Sequence, residues 1–242
     1  VWHDSKSIVS YLKFGNQSQS RKKVGHEHHS LELLSKIKFD RVHIPKILRF
    51  KLDSDHAMLE TQNIVTGQDK KVDVLLNVDY LALLEIYNER GKKNTSVSEY
   101  INDKNIYKSV ILDLLGENFH VNISNSHGDY TPWNRFILDN EVKIIDWEDF
   151  SKRAMCYHLV TFLFSEGVLI KKSNLNKIQK KCESAILKFN MMTGEYIESQ
   201  RVKKYLLVCL VELYDNFPSG SNDDFVLKLT LLIDRIIVEF KK

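Results

Sequence analysis

The stretch His127–Phe150 reads HGDYTPWNRFILDNEVKIIDWEDF, and it governs the reading of the whole chain. RFIL (135–138) and VKII (142–145) are short apolar runs on either side of an Asp139-Asn140 pair, a pattern that predicts a tight β-hairpin. Such a hairpin carries Asp146 back toward Asn134. Asp129 lies just upstream of Asn134, so three oxygen-bearing side chains converge at one end of a rigid two-stranded element. That set suits a hard cation such as Mg²⁺, which prefers oxygen ligands and keeps waters and phosphates in its remaining positions. Phosphoryl transfer from a nucleotide is the chemistry that uses such an arrangement.

A phosphotransfer catalytic loop has the form H-R-D-x-x-x-x-N followed by a metal-binding Asp, and HGDYTPWN matches it except at Gly128. The pair HGDYTPWN and IIDWE resembles the aminoglycoside phosphotransferase and choline kinase family, small-molecule kinases of protein-kinase-like fold whose usual pattern is HGDxxxxN, a hydrophobic pair, then DWE or DFE. The resemblance implies an α+β, two-lobed fold with a small strand-rich N-lobe (residues 1–65) that binds nucleotide. A larger, mainly helical C-lobe (66–242) would carry the catalytic loop, metal and acceptor sites. It also implies roles. Asp129 orients the acceptor hydroxyl and takes its proton, His127 organises the loop, Asn134 and Asp146 hold the metal, and Glu148 assists metal or substrate placement. Gly128, and the lack of an A-P-E sequence after Asp146, point away from a phosphorylation-switched protein kinase.

Upstream, SIVSYLKF, PKILRFK and HAMLE read as strands around a helix, EHHSLELLSKI. Glu27 precedes Leu31 and Leu34 by four and seven places, which puts a carboxylate on the helix's inward face, where it needs a partner. The resemblance supplies one: Lys13 in YLKF, paired with Glu27 to hold the nucleotide's α and β phosphates. HAMLETQNI then stands where the strand enters the hinge, so the backbone around Glu60 and Gln62 is expected to hydrogen-bond the adenine. The family's first strand and phosphate-covering loop would precede VWHDSK, which implies a truncated chain or an abbreviated N-lobe. Trp133 stands where glycine is frequent. YHLVTF replaces a usual aspartate-leucine pair, so His158 is expected to anchor the catalytic loop in its place.

Composition fits a globular chain. Its 242 residues are 43% hydrophobic, and 35 basic against 32 acidic residues leave a formal charge of +3. Nothing in that balance calls for a nucleic-acid or membrane partner, and no apolar run is long enough to span a bilayer. Cys156, Cys182 and Cys209 sit among apolar neighbours without metal-type spacing, which suggests reduced core thiols and a cytoplasmic location. Beyond the polar break TGQDKK the pattern turns mainly helical. Leu76, Tyr80, Leu83, Leu84 and Tyr87 make one stripe, Tyr107 to Leu115 a second, Ile178 to Phe189 a third. The runs YLLVCLVELY and FVLKLTLLIDRIIVEF are apolar nearly all round and are expected at the centre of that region. The change of pattern near Glu60–Lys71 predicts two lobes, with the small ligand between them.

The leading reading is a Mg²⁺- and ATP-dependent phosphotransferase acting on a hydroxyl of a sugar, amino alcohol or antibiotic. Two alternatives stand beside it: a catalytically silent nucleotide-binding pseudokinase, and a kinase of a larger glycan or protein. In HEHH (26–29) the histidines are expected to be solvated or to face phosphate, with no metal site assigned. Tyr130 and Trp133 are expected to face the acceptor.

Overall fold

The computed structural model describes residues 2–4, 7–88, 93–194, 198–216 and 223–242, so Val1, Ser5 and Lys6 of the expected N-terminal strand region lie outside the described residues. The chain begins with strands β1 (Trp2–Asp4) and β2 (Ser7–Gly15), helix α1 (Ser18–Leu34), then β3 (Val42–His43), β4 (Ile47–Leu52) and β5 (Ala57–Gln62). Helix α2 (Asn77–Asn88), β6 (Lys93–Ser96), α3 (Val97–Tyr100), α4 (Lys108–Leu115), β7 (His120–Ser126), β8 (Arg135–Leu138), β9 (Glu141–Ile144) and β10 (Ser151–Ala154) follow. The remainder is α5 (Tyr157–Ser165), a π-helical turn at Glu166–Ile170, α6 (Leu175–Thr193), α7 (Ser199–Asn216) and α8 (Asp223–Phe240).

Contacts group the chain into two compact units. One compact unit joins Val1–Val72, Leu76–Glu85 and His127–Ser151; the other holds Asp73–Leu75, Ile86–Ser126 and Lys152–Lys242. The first unit thus contains both the N-terminal sheet and the whole HGD…DWE stretch.

In that first unit an antiparallel sheet runs in the order β1-β2-β5-β4, with Lys13 opposite Leu59. Helix α1 buries Val24, Glu27, Leu31 and Leu34. It starts well before the expected EHHSLELLSKI, because Gln17 and Ser20 form a reciprocal capping box that satisfies its first amides. The run SQSRKKVG has no apolar period, so its helicity escapes a pattern search. Gly15 brings strand and helix together: a Cβ there would lie 2.6 Å from the carbonyl carbon of Ser20. A second sheet, β3-β9-β8, contains the predicted hairpin in register Arg135↔Ile144 and Leu138↔Glu141. Asp139 and Asn140 both have positive φ (47° and 66°), as a two-residue turn matched to strand twist requires.

The second unit holds a three-stranded sheet, β10-β7-β6, in a region expected to be mainly helical. Its strand HVNISNS buries Ser124 and Ser126 beside Val121, so polar residues occupy inward positions and hide the strand's alternation. Helix α6 buries its predicted stripe, Tyr107, Ile111 and Leu115 of the second stripe are buried while Val110 and Leu114 are half-buried, and α7 is buried continuously from Tyr205 to Val211. Helix α8 differs from expectation. Phe225, Leu229, Leu232, Ile233 and Ile236 are buried, while Leu227 (56%), Leu231 (47%) and Val238 (51%) are exposed, so it covers the unit with one face only. Leu76 precedes α2 instead of joining its stripe. The three cysteines are buried and unbridged, and no described helix is long and apolar enough to cross a membrane.

Candidate active site

The β8–β9 hairpin sets the geometry. Its ladder continues one step past the last pair, where the Ile145 amide donates to the Asn134 carbonyl at 3.0 Å. Asp146 therefore leaves the hairpin beside Asn134, and it does so with φ +67°, a left-handed conformation that Asp tolerates better than most residues. Asn134 donates its side-chain amide to Asp129, at 2.7 Å to Oδ2 and 3.0 Å to the backbone carbonyl. With its nitrogen so committed, Asn134 has Oδ1 left as a ligand atom.

Asp129 is half-buried, and its carboxyl is pushed up to about 6, first by burial and then by the charges of Asp146 and Asp149; the Asn134 hydrogen bond opposes the rise. A carboxylate with raised proton affinity is suited to accept a proton from a hydroxyl near neutral pH. His127 is fully buried and plays a different part. Its Nδ1 accepts from the Asp129 amide at 3.3 Å and its Nε2–H donates to the Ile145 carbonyl at 2.9 Å. Those two contacts require the neutral Nε2–H tautomer, and burial pushes its pKa down to about 4. The ring also meets Trp147 edge-on at 4.5 Å, tying the HGD loop to the DWE segment. Gly128 between them has φ +88°, and a Cβ there would lie 2.1 Å from the Asp149 carbonyl oxygen. Only glycine fits.

Lys13 reaches this site from β2. Its ammonium lies 2.6 Å from Glu27 Oε2, against Asp146 Oδ1, and 3.3 Å from Glu148 Oε2. Burial alone would lower its pKa, but Glu27 and Asp146 raise it, so the lysine stays charged. Glu27 thus has the partner its inward position demands, and its Oε1 also accepts the Trp147 amide at 3.3 Å. Ligand oxygens of Glu27, Asp146 and Glu148 lie within 4.8 Å of one another, an all-oxygen set that fits a hard divalent cation. A cavity of about 190 Å³ opens beside Lys13, lined by Tyr11, Leu12, Pro45, Leu59, Thr61 and Ile145 together with Lys13, Glu27 and Asp146.

The sequence-predicted residues divide accordingly. Lys13, Glu27, Asp146 and Glu148 meet directly, and Asp129, His127 and Asn134 form a second connected group. The Glu60 and Gln62 side chains lie outside the cavity, since strand alternation turns Leu59 and Thr61 into it and the Glu60 carboxylate accepts from Ser10 Oγ at 2.8 Å; a backbone role at the adenine does not depend on where those side chains point. Tyr130 does not face an acceptor. It is fully buried and donates to Asp79 Oδ1 at 2.7 Å, whereas Trp133 is 39% exposed. In the second unit His158 Nε2 lies 3.1 Å from Ser126 Oγ, the residue preceding His127 in sequence.

Three contributors escaped sequence reasoning, and a fourth, His26, was expected only to be solvated or to face phosphate. Asp79 and Arg135 form a wholly buried ion pair at 3.0 Å, and Asp79 also accepts the Leu76 amide at 2.7 Å. Lys23 Nζ lies 2.6 Å from Glu148 Oε1, and His26 Nδ1 lies 2.8 Å from the Glu148 carbonyl oxygen. Arg135 directly follows Asn134, and Lys23 and His26 share a helix face with Glu27; those adjacencies were the available signals.

No protein-family model matches the chain, and no curated protein matches it in sequence. Solved structures do. Choline kinase LicA from Streptococcus pneumoniae superposes with TM-score 0.60 at 13% identity, over 94% of this chain and 86% of that one. A thermostable mutant of the aminoglycoside phosphotransferase APH(4)-Ia, solved with AMP-PNP and hygromycin B, gives 0.59 at 11% identity over 95% and 86%. Aminoglycoside 2'-phosphotransferase-IIIa, solved with GDP, gives 0.56 at 13% over 97% and 91%. The chain accordingly has the α+β, two-lobed protein-kinase-like fold found in aminoglycoside phosphotransferases and choline kinase.

Proposed function

We propose that the protein is an ATP-dependent phosphotransferase that moves the γ-phosphoryl group to a hydroxyl of a small molecule, with residues 1–65 as nucleotide lobe and 66–242 as catalytic and acceptor lobe. One observation carries the reading: Asp129, with raised proton affinity, is hydrogen-bonded to Asn134 beside the carboxylate of Asp146, onto which Lys13 is delivered by Glu27. Asp129 orients the acceptor hydroxyl and takes its proton as the oxygen–phosphorus bond forms and the bond to the β–γ bridging oxygen breaks. Lys13, charged and held by Glu27, contacts the α and β phosphates, and the cavity beside it receives the base. Asn134 Oδ1, Asp146 and Glu148 would hold Mg²⁺, which neutralises phosphate charge when bound. His127, neutral and buried, keeps the loop in place.

The structural neighbours named above include proteins solved with AMP-PNP or GDP, which supports nucleotide use. The buried, unbridged thiols support a cytoplasmic location, and Gly128 with no A-P-E sequence after Asp146 supports a small-molecule acceptor. The test is ADP release from MgATP across sugars, amino alcohols, choline-like amines and antibiotics. Acceptor-dependent release by the wild type, lost in Asp129→Asn, is expected; full activity in that variant would remove Asp129 as the base.

A further inference from the structure

We propose that Lys23 is a positioning residue of the metal site, holding one oxygen of Glu148 so that the other is presented to a divalent cation. The proposal rests on the reading of Asp146 and Glu148 as metal ligands. Lys23, His26 and Glu27 stand at i, i+3 and i+4 in α1, so they share one face of the helix. All three hold the same two residues. Lys23 Nζ lies 2.6 Å from Glu148 Oε1, His26 Nδ1–H donates to the Glu148 carbonyl at 2.8 Å, and Glu27 Oε1 accepts the Trp147 amide at 3.3 Å.

The two oxygens of Glu148 have different cations. Oε2 faces Lys13 at 3.3 Å, the longest of that lysine's three carboxylate contacts, and Lys13 keeps Glu27 and Asp146 if it gives Oε2 up. Oε1 faces Lys23 at the shorter distance. A divalent cation therefore competes for Oε2 and leaves the Lys23 contact in place. Without Lys23 a flexible glutamate must lose its rotamer freedom when the metal arrives, so affinity for the metal, not the fold, is what Lys23 supplies. A partner that orients a metal ligand in this way is worth 10- to 100-fold in affinity in typical sites, on the order of what a deletion here would cost.

The test is Mn²⁺ binding to the full chain, read from the free-ion EPR signal with a non-hydrolysable ATP analogue present. Lys23→Met is expected to weaken Mn²⁺ binding about tenfold, with metal-free nucleotide affinity and melting temperature unchanged, and Lys23→Arg to restore it. Asp146→Asn is the control for the metal reading. If Lys23→Met binds Mn²⁺ like the wild type while Asp146→Asn does not, the positioning role is wrong and the metal site stands. If Lys23→Met also lowers the metal-free melting temperature and Lys23→Arg fails to rescue, the contact is structural and the proposal falls. If the wild type takes up no Mn²⁺, or Asp146→Asn binds it normally, the metal reading fails and the proposal fails with it.

Discussion

The carboxylate of Asp129 accepts the side-chain amide of Asn134 at 2.7 Å, so the proposed base and a proposed metal ligand are not independent. The amide can face Asp129 with only its nitrogen, which fixes the side on which Oδ1 is offered. Asn134 thereby aligns a proton acceptor and an oxygen ligand in a single rotamer.

That coupling makes the pH dependence of turnover sensitive to metal. The Asp129 carboxyl is raised from its ordinary value to about 6 by burial and by Asp146 and Asp149. The base works ionised, so activity is present above that value and lost as pH falls through it. A bound divalent cation offsets the neighbouring negative charge and favours the ionised form. The acid limb of kcat/KM is expected near pH 6 at limiting Mg²⁺ and at lower pH when Mg²⁺ is saturating. Profiles at two Mg²⁺ concentrations check this, and coincident limbs, or one that moves up with metal, would count against Asp129 as the base. Asp129→Asn is expected to lower kcat by roughly 10²–10⁴-fold with little loss of stability.

Gly128→Ala is expected to damage both fold and activity. The new Cβ would lie 2.1 Å from the Asp149 carbonyl oxygen, at a φ of +88°. The conformation alone costs an alanine about 1–3 kcal/mol, and the collision forces HGD and DWE apart. A melting temperature several degrees lower and loss of turnover are the expected readings. A variant as stable and active as wild type would mean that the two segments have room to separate.

How much of this was legible in the sequence follows from what each contact leaves in the chain. The hairpin was legible because Asp139-Asn140 between two apolar runs encodes it locally, and hairpin geometry alone brings Asp146 to Asn134. Glu27 was legible from its helical phase with Leu31 and Leu34. Lys23 was not, since a half-exposed lysine in a basic run has no pattern that separates it from solvated neighbours. Tyr130 was misread because an aromatic in a polar loop suggests a ligand platform, whereas its partner Asp79 is remote in sequence and unmarked. The β10-β7-β6 sheet was missed for a related reason: buried serines replace the apolar alternation on which strand recognition depends.

Lys13→Met removes the cation among Glu27, Asp146 and Glu148, whose ligand oxygens lie within 4.8 Å of one another. Three carboxylates at that separation repel, and a divalent cation is the available replacement. Mg²⁺ without nucleotide is therefore expected to raise the melting temperature of Lys13→Met more than that of wild type, while nucleotide affinity falls. At tenfold excess over its dissociation constant, the ion adds about 1.4 kcal/mol. Equal Mg²⁺ shifts in the two proteins, measured by thermal denaturation, would show that Lys13 does not neutralise the cluster.

The buried pair Asp79–Arg135 offers a test of how the catalytic loop is fixed. Neither side chain is exposed, and Asp79 takes hydrogen bonds from Tyr130 Oη and the Leu76 amide as well as the ion pair. Burial raises the pKa of Asp79, and the Arg135 guanidinium and the Tyr130 hydroxyl oppose the rise. Breaking the pair leaves a buried charge unpaired, so Asp79→Ala or Arg135→Met is expected to cost about 3–5 kcal/mol. Removing both removes the stranded charge too, and the double variant is expected to cost at least about 2 kcal/mol less than the sum of the singles. Tyr130→Phe, which deletes one hydrogen bond, should cost only about 1 kcal/mol. Because Arg135 adjoins Asn134, Arg135→Met is also expected to lower kcat. Urea unfolding of the four proteins measures the coupling. Strict additivity would mean that Asp79 and Arg135 each find other partners, and that the loop owes its position to Tyr130 and the hairpin alone.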